Sequence, residues 1–398
     1  MTGALSMAFV CPRYRPPLAG GAEVLMASWA RRLADMGHSV EVLSTCAQDH
    51  TNWKNDLPKG KTADGKVIVH RFPVKESRDL ETWIPLQQKL EMEMTLTDIE
   101  ENAWIRESVH APDLYDYLKK NLERYDVIFL APYLFGVTYE AARISAQKAV
   151  LIPCLHDESA ARLDIFGKLF KEIRGIFFNA NAEMELAKSM HQLSDEHCLV
   201  VGMGVEEKFS GNAERFRKKH SIQSPFILYA GRRERGKNVY LLMDYFKGFV
   251  RNHETDLQLV FLGSGDLDID PEIQNRVVDL GFVSESDKMD AYAACTIFCQ
   301  PSTNESFSIV LLEAWLNQAP ALVNGKCTVT KDHIINSTGG LYFRNFYEFC
   351  EVLELFLSDE YLRKKMGTNG REYVQNYFTW DKVEERFWHG LKQFGLIT

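Results

Sequence analysis

Short runs rich in β-branched and other apolar residues alternate with amphipathic segments along the 398-residue chain. LSMAFVC (5–11) and HSVEVLST (38–45) are typical of buried strands. Between them, AEVLMASWARRLADMG (22–37) has the apolar spacing of a helix that stops at a glycine. Strands separated by helices form parallel sheets through crossover connections. The sequence therefore predicts an α/β fold.

The alternation occurs in two successive sets, which predicts two doubly wound domains. The first set continues with strands predicted at 67–72, 126–131, 149–154, 175–179 and 198–202. The second has strands predicted at 226–231, 257–263, 277–283, 296–300 and 320–324. We expect an N-terminal domain of residues 1–204, joined by a C-terminal helix of about 378–398, and a C-terminal domain of 205–377. The polar segment 74–125 has helical spacing and is interpreted as an insertion packed on the N-terminal domain.

Charge and hydropathy exclude several classes of protein. With 46 Lys and Arg against 55 Asp and Glu, the net charge is −9, which argues against a general nucleic-acid binder. No run approaches the ~18 apolar residues of a spanning helix. The N-terminus has no basic signal-peptide region, and the eight cysteines include no C-x-x-C pair. We expect a cytoplasmic protein, peripheral at most at the inner face of the membrane.

The stretch FGKLFKEIRGIFF (166–178) leaves two interpretations open. As an amphipathic surface segment carrying three cations, it would touch anionic lipid or a lipid-linked acceptor. Alternatively, its second half is a buried strand. The sequence gives no indication of the oligomeric state.

The segment NESFSIVLLEAW (304–315) holds Glu305 and Glu313 at either end of a mostly apolar run. Ser306 and Ser308 are candidate N-caps for a helix that begins between Phe307 and Ile309, so Glu305 precedes the helix and Glu313 lies inside it. The free N–H groups of a helix N-terminus bind anions such as phosphate. We expect a phosphorylated polyol between the two acids; a capped helix with two solvated acids is the alternative.

A second segment, YAGRRERGKN (229–238), follows a predicted strand and opens a helix. Arg232 can fork onto phosphate oxygens and Lys237 adds a mobile charge. Ligands of parallel sheets bind at the carboxyl ends of the strands. A diphosphate held by these cations and by the helix after Glu305 would unify the two segments, whereas taken alone the turn is equally well a solvated basic loop.

Three further segments carry weaker signals. PPLAGGAE (16–23) offers Gly20 and Gly21 for close backbone approach to a ligand, without a complete dinucleotide motif. CLHDES (154–159) places His156 after a strand, where a histidine exchanges protons with a substrate or is simply structural. DLDID (266–270) is interpreted as a solvated turn, and we expect no metal site.

Together these segments resemble family 4 of the retaining glycosyltransferases, which includes glycogen-synthase-like enzymes and lipopolysaccharide or capsule sugar transferases. The resemblance covers nearly the whole chain and is weakest over 74–125. It implies the GT-B fold, in which two Rossmann-like domains face each other across a cleft and the C-terminal helices pack back on the N-terminal lobe. The family's E-x7-E is met by Glu305 and Glu313.

The resemblance assigns roles residue by residue. It implies that Glu305 lies beside the donor sugar, that Glu313 binds the ribose, and that Arg232 and Lys237 bind the diphosphate. The sequence departs from the family's G-R-L-x-x-x-K-G motif at Arg233 and Asn238. It departs from the family's E-P-F-G motif at Ser306 and Ser308. The remaining assignments are His156 at the donor sugar, Gly20 and Gly21 under the diphosphate, Phe282 and Val283 at the base, and Ser306, Phe307 and Ser308 beside the donor.

The implied function is metal-independent transfer of a sugar from a nucleoside-diphosphate sugar to a saccharide or lipid-linked hydroxyl acceptor, with retention of configuration and no cofactor. Cell-surface polysaccharide biosynthesis is the implied setting. A sugar-nucleotide epimerase, or a phosphorylase carrying pyridoxal phosphate on a lysine, would use the same architecture. A non-catalytic sugar-nucleotide-binding protein is the alternative outside enzymes.

Overall fold

The computed structural model describes residues 3–15, 20–49, 52–76, 78–206, 210–233 and 235–398. The chain divides into two compact units. Unit 1 spans Met1–Gly202 with Arg386–Thr398, and unit 2 spans Met203–Glu385. The sequence predicts the first boundary after residue 204 and the return to the N-terminal domain at about 378, whereas the units change after Gly202 and at Arg386.

Unit 1 is built on an eight-stranded sheet of order β3-β4-β2-β1-β5-β6-β7-β8. Neighbouring strands are parallel, except that β3 runs antiparallel to β4. The strands are β1 (Ser6–Val10), β2 (Ser39–Thr45), β3 (Gly60–Asp64), β4 (Val67–Phe72), β5 (Val127–Leu130), β6 (Ala149–Leu151), β7 (Gly175–Phe178) and β8 (Cys198–Val200). The helices are α1 (Gly21–Asp35), α2 (Leu80–Glu91), α3 (Asp98–Arg106), α4 (Pro112–Asn121), α5 (Gly136–Ser145), α6 (Asp164–Glu172) and α7 (Asn181–His191).

Unit 2 is built on a parallel six-stranded sheet of order β11-β10-β9-β12-β13-β14. Its strands are β9 (Phe226–Ala230), β10 (Gln258–Leu262), β11 (Val277–Asp279), β12 (Ile297–Gln300), β13 (Ala321–Asn324) and β14 (Gly340–Phe343). The helices are α8 (Ala213–His220), α9 (Val239–Asn252), α10 (Glu285–Ala294), α11 (Ile309–Leu316), α12 (Thr328–Ser337), α13 (Phe346–Ser358) and α14 (Glu360–Tyr377), followed by the final helix α15 (Trp380–Gln393). The predicted α/β class with two doubly wound units is confirmed.

Each sheet reverses its strand order once, and these points locate the candidate ligand sites. In unit 2, β9 lies between β10 and β12, so the chain leaves β9 and β12 in opposite directions. In unit 1, β1 lies in the same way between β2 and β5. Ligands of open α/β sheets bind beyond the carboxyl ends of the strands at such switch points. The sheet topology therefore favours the segments after β9, β12 and β1 as ligand-binding sites.

The polar segment 74–125 folds into helices α2, α3 and α4, which pack on unit 1. Leu86, Leu90, Trp104 and Ile105 are buried in the same apolar core as the sheet residues. Its packing thus agrees with the interpretation of an insertion on the N-terminal domain.

The stretch 166–178 does not expose an apolar face for lipid. Phe166, Leu169 and Phe170 on α6 are all buried, and the stretch continues into β7. The amphipathic spacing therefore reflects packing against the core of unit 1. Among the described residues, no helix has both the length and the apolar character needed to cross a bilayer.

Two strands were not predicted from the sequence. β3, GKTAD, is a mostly exposed edge strand and has no apolar alternation to reveal it. β14, GLYF, is only four residues long and begins at the second glycine of a pair. Both lie at a sheet edge, where pairing with a single neighbour sets the conformation.

The last turns of α15 pack on unit 1 through Phe387. Its buried ring stacks on Trp29 at 4.2 Å between ring centroids and on Phe129 at 5.2 Å. Arg386 donates from its guanidinium to the carbonyl oxygen of Val201 at 2.9 and 3.0 Å. Aromatic stacking and a charged hydrogen bond therefore fix the end of the chain on this unit.

We predict that Phe387→Ala lowers the stability of unit 1 by about 3–5 kcal/mol, the usual cost of removing a buried phenyl ring. Thermal unfolding followed by circular dichroism measures the loss. His389→Ala is the control, since His389 is exposed on the same helix. Equal melting temperatures for the two variants would contradict this account of α15.

Candidate functional site

The charged residues of unit 2 singled out in the sequence gather at the carboxyl ends of β9 and β12. Gly231 and Arg232 follow β9 directly, and Lys237 closes the same turn before α9. Glu305 lies in the loop after β12, four residues before α11 begins. Because β9 and β12 are paired in parallel, the two loops emerge side by side at the switch point.

Lys237 and Glu305 form an ion pair across these loops. The Nζ of Lys237 lies 2.7 Å from Oε1 of Glu305, and Nε2 of Gln300 donates to the same oxygen at 2.7 Å. The Glu305 side chain is only 11% exposed. A carboxylate this sheltered needs hydrogen-bond donors in place of water, and these two residues supply them.

Arg232 lies in the turn after β9, and its carbonyl oxygen accepts a hydrogen bond from the Tyr229 hydroxyl at 2.6 Å. The next residue, Arg233, is buried and anchors the turn. Its guanidinium donates to both carboxylate oxygens of Asp279 and, at 2.8 Å, to the carbonyl oxygen of Gly265. Arg233 therefore ties the turn after β9 to the loop after β10 and to the last residue of β11.

The G-x-G of LGSGDLD forms the neighbouring turn and packs against the turn after β9. Gly263 has φ of 125°, and a Cβ there would lie 2.0 Å from the carbonyl oxygen of Gly231. Only glycine permits this approach. This G-x-G therefore has a packing role.

Glu313 lies inside α11, with each carboxylate oxygen facing a side chain of α10. Lys288 approaches Oε1 at 3.0 Å, and the Tyr292 hydroxyl donates to Oε2 at 3.2 Å. Burial raises the pKa of Glu313, and the Lys288 ammonium opposes part of that increase. The same burial, with the Glu313 charge, raises the pKa of Tyr292 well above its usual range, so Tyr292 donates as a neutral phenol.

The residues between the two acids differ from expectation in two respects. Ser308 occupies the N-cap position of α11, but its side chain does not cap the helix. Phe307 is buried against His333 and Phe378, with ring centroids 5.7 and 5.4 Å away. Its predicted contact with a donor is therefore limited to the backbone. Ser306 is half-buried in the loop.

Phe282 and Val283, which were expected to contact the nucleotide base, follow β11. They lie at the carboxyl end of that strand, as the turns after β9 and β12 do. The Phe282 side chain is 72% exposed, a large apolar area for a loop residue. Gly281, just before it, accepts a hydrogen bond from the N–H of Gly263 at 2.7 Å. The backbone of this segment is therefore joined to the loops around Gly231.

The remaining predicted residues lie in unit 1. Gly20 is the N-cap of α1 and Gly21 its first residue, whereas residues 16–19 of the same motif lie outside the described part of the chain. A Cβ on Gly21 would meet no atom within 4 Å. His156 is half-buried in the loop after β6.

A buried carboxyl group, Glu183, supports the loop that carries His156. Glu183 accepts hydrogen bonds from the backbone N–H groups of Leu155 and Asn179, each at 2.6 Å. Burial raises its pKa to about 8 despite these donors. Glu183 thus joins the carboxyl ends of β6 and β7.

Sequence reasoning missed four of these polar partners: Gln300, Lys288, Tyr292 and Glu183. Gln300 left a signal, since it is the one polar side chain at the end of the strand TIFCQ. Lys288 and Tyr292 lie four residues apart, which places them on one helix face. Glu183 resembles an ordinary surface acid in the polar run NAEMELAKS.

Comparison with known proteins finds a family model and several relatives that this chain resembles. Residues 212–373 match the sequence model of the family described as "Glycosyl transferases group 1". An uncharacterized glycosyltransferase of Methanocaldococcus jannaschii is 22% identical over 95% of this chain and 96% of its own. The capsular polysaccharide biosynthesis glycosyltransferase CapM of Staphylococcus aureus is 26% identical over 49% of this chain and 56% of its own.

Solved structures agree on the fold. Sucrose-phosphate synthase from Thermosynechococcus elongatus superposes with a TM-score of 0.74 at 14% identity, covering 98% of this chain and 99% of that one. HepE of Anabaena, solved in complex with UDP and glucose, gives 0.69 at 16% identity, with 98% and 99% covered.

Residues 212–373 thus match the group 1 glycosyltransferases, and the whole chain resembles a relative named as a glycosyltransferase. Within this family resemblance, two departures from glycine have a backbone explanation. Asn238 has φ of 54° and Ser308 has φ of 66°, so both lie in the left-handed region that favours glycine. Asn238 compensates, because its side-chain amide donates to the carbonyl oxygen of Pro301 at 3.2 Å and to the Thr303 hydroxyl at 3.4 Å.

Ser308 has no such compensation: its buried hydroxyl has no hydrogen-bond partner among the described residues. We predict that Ser308→Gly raises stability by about 0.5–1 kcal/mol, because glycine adopts positive φ without strain. Asn238→Gly is the matched comparison and should lower stability, since it removes two hydrogen bonds. Thermal unfolding of both variants checks the opposite signs, and a destabilised Ser308→Gly would refute the strain at that position.

Proposed function

We propose that the chain transfers a sugar from a nucleoside-diphosphate sugar to a hydroxyl acceptor, with retention of configuration and without a metal ion. One observation carries the proposal. The two glutamates of the E-x7-E motif lie before and inside α11, and Lys237 pairs with the first of them beside the helix N-terminus. This arrangement supplies both a charge for the diphosphate and oxygen acceptors for sugar hydroxyls.

The roles follow from the chemistry of the groups. Arg232 and Lys237 stabilise negative charge on the departing diphosphate, together with the N–H groups at the start of α11. Glu305 orients the donor sugar, and Glu313 accepts hydrogen bonds from the ribose. Phe282 and Val283 meet the base, and Gly20 and Gly21 approach the diphosphate.

The hydrogen bonds that Glu305 accepts favour a retaining reaction in which the enzyme supplies no nucleophile. Its Oε1 is already bound by Lys237 and Gln300, so the carboxylate is a weaker nucleophile than a free one. We assign the acceptor's proton to the leaving diphosphate, and His156 supports the reacting centre. This front-face attack needs no metal, because fixed cations take over charge stabilisation.

The acceptor is assigned by class only: a saccharide or a lipid-linked saccharide. The likeness to CapM, named for capsular polysaccharide biosynthesis, favours a cell-surface polysaccharide. We place the protein in the cytoplasm, on the inner side of the membrane, where nucleotide sugars are available. The buried apolar face of α6 removes the earlier argument for direct lipid contact.

A donor panel tests the proposal. UDP-, GDP-, ADP- and dTDP-sugars are incubated with saccharide acceptors, and release of the nucleoside diphosphate is measured. UDP-glucose comes first, since HepE was solved with UDP and glucose. We expect turnover of one donor, unchanged by EDTA, with a product of the donor's anomeric configuration by NMR. Inverted product, or activity abolished by EDTA and restored by a divalent ion, would overturn the corresponding part of the proposal.

We predict that Arg232→Ala and Lys237→Ala each lower kcat by a factor of about 10² or more, the usual effect of losing a stabiliser of transition-state charge. Lys247→Ala is the control. Lys247 also forms a 2.7 Å ion pair, with Asp270, but lies on the body of α9. Near-normal turnover in both test variants, with the donor still bound, would contradict the assigned roles.

A further inference from the structure

Helix α10 places a lysine between an exposed and a buried glutamate. The Nζ of Lys288 lies 2.9 Å from Oε2 of Glu285 and 3.0 Å from Oε1 of Glu313. The Glu285 side chain is 68% exposed, whereas that of Glu313 is 14% exposed. The pair with Glu313 is therefore the one sheltered from water and salt.

Burial and pairing have opposite effects on the charge of Glu313. A buried carboxyl group without a cation takes up a proton rather than remain charged. Here burial raises the pKa of Glu313 while Lys288 lowers it. Burial in turn lowers the pKa of Lys288, but the two glutamates outweigh it and raise that pKa overall, so the lysine stays charged. Each group thus favours the ionised form of the other.

Other groups around Glu313 do not replace Lys288. From α10, Tyr292 donates a neutral hydrogen bond and Glu285 adds a repelling charge. Helix α14 approaches α11 through Gly370 and Tyr373, both against the ring of Trp315, and Gly367 lies against Gln318 just after α11. In the described part of unit 2, Lys288 is the only cation within 4 Å of the Glu313 carboxylate.

We propose that Lys288 is a positioning residue for nucleotide binding: it bridges Glu285 and Glu313 and so holds the Glu313 carboxylate in place and charged, ready to accept hydrogen bonds from ribose hydroxyls. This rests on the proposed function, which assigns the ribose to Glu313. Removal of Lys288 makes nucleotide binding weaker and dependent on pH. As pH falls, Glu313 without its cation takes up a proton at a higher pH than in the wild-type protein, and its acceptor capacity is lost.

The test measures dissociation constants of UDP, GDP and ADP by calorimetry on the full chain between pH 8 and pH 5.5. For the nucleotide that binds best, we expect the affinity of Lys288→Met to fall by ~10-fold between pH 8 and pH 5.5, in addition to any loss already present at pH 8. This is the effect of about one unit of pKa. Wild type should change by less than about threefold, and Lys288→Arg should follow wild type. Lys219→Met is the matched control, since it removes an exposed 2.7 Å ion pair to Asp287 on the same α10.

Two further variants keep the outcomes separate. Lys288→Gln replaces Lys288→Met if the latter unfolds, which circular dichroism reveals. Glu313→Gln should bind weakly at every pH. If Lys288→Met and wild type show parallel pH profiles while Glu313→Gln binds weakly, the role of Lys288 is refuted and the proposed function stands. If Glu313→Gln binds as wild type does, or if wild type binds none of the three nucleotides, the ribose assignment fails and the role of Lys288 fails with it.

Discussion

Glu305 accepts hydrogen bonds from Lys237 and Gln300 on the same oxygen, and the functional edge of unit 2 is arranged around this contact. A sheltered carboxylate must be neutralised, and the cation comes from 68 residues earlier in the chain. Only the parallel pairing of β9 and β12 brings the two loops together at a switch point. The sheet topology therefore supplies the cation that a sheltered Glu305 needs. Glu305 in turn holds Lys237 beside the start of α11.

The backbone of both loops is held in conformations that ordinary side chains resist. Asn238 ends the turn after β9 and Ser308 precedes α11, each with positive φ. Asn238 uses its amide to bind the neighbouring loop after β12, so its departure from glycine adds a contact between the two segments. Ser308 adds none among the described residues. Strain that persists at the start of α11 is consistent with a position selected for ligand contact rather than for stability.

The sequence predicted the parts of the fold that depend on long periodic patterns. The strands with continuous apolar runs, the alternation with helices and the two-unit organisation follow from burial on both faces of a parallel sheet. β3 and β14 could not be found, because a short edge strand carries little such pattern. Among the site residues, Glu305, Glu313 and Lys237 were recognisable by spacing. Their partners Gln300, Lys288 and Tyr292 were not, since contacts between separate elements depend on packing that spacing does not encode.

The pairing of Lys237 with Glu305 also bears on how a fixed cation would accelerate the proposed reaction. A cation beside the diphosphate also attracts the donor before cleavage, and that ground-state part of the attraction lowers KM without raising kcat. Lys237 already balances Glu305, so its attraction for the bound donor is partly offset. As the glycosidic bond breaks, charge accumulates on the diphosphate while the sugar becomes positive. Glu305 then interacts with the positive charge on the sugar, and Lys237 interacts with the increased negative charge on the diphosphate. The same pair would thus favour the transition state on both sides of the breaking bond, which is the differential binding that catalysis requires.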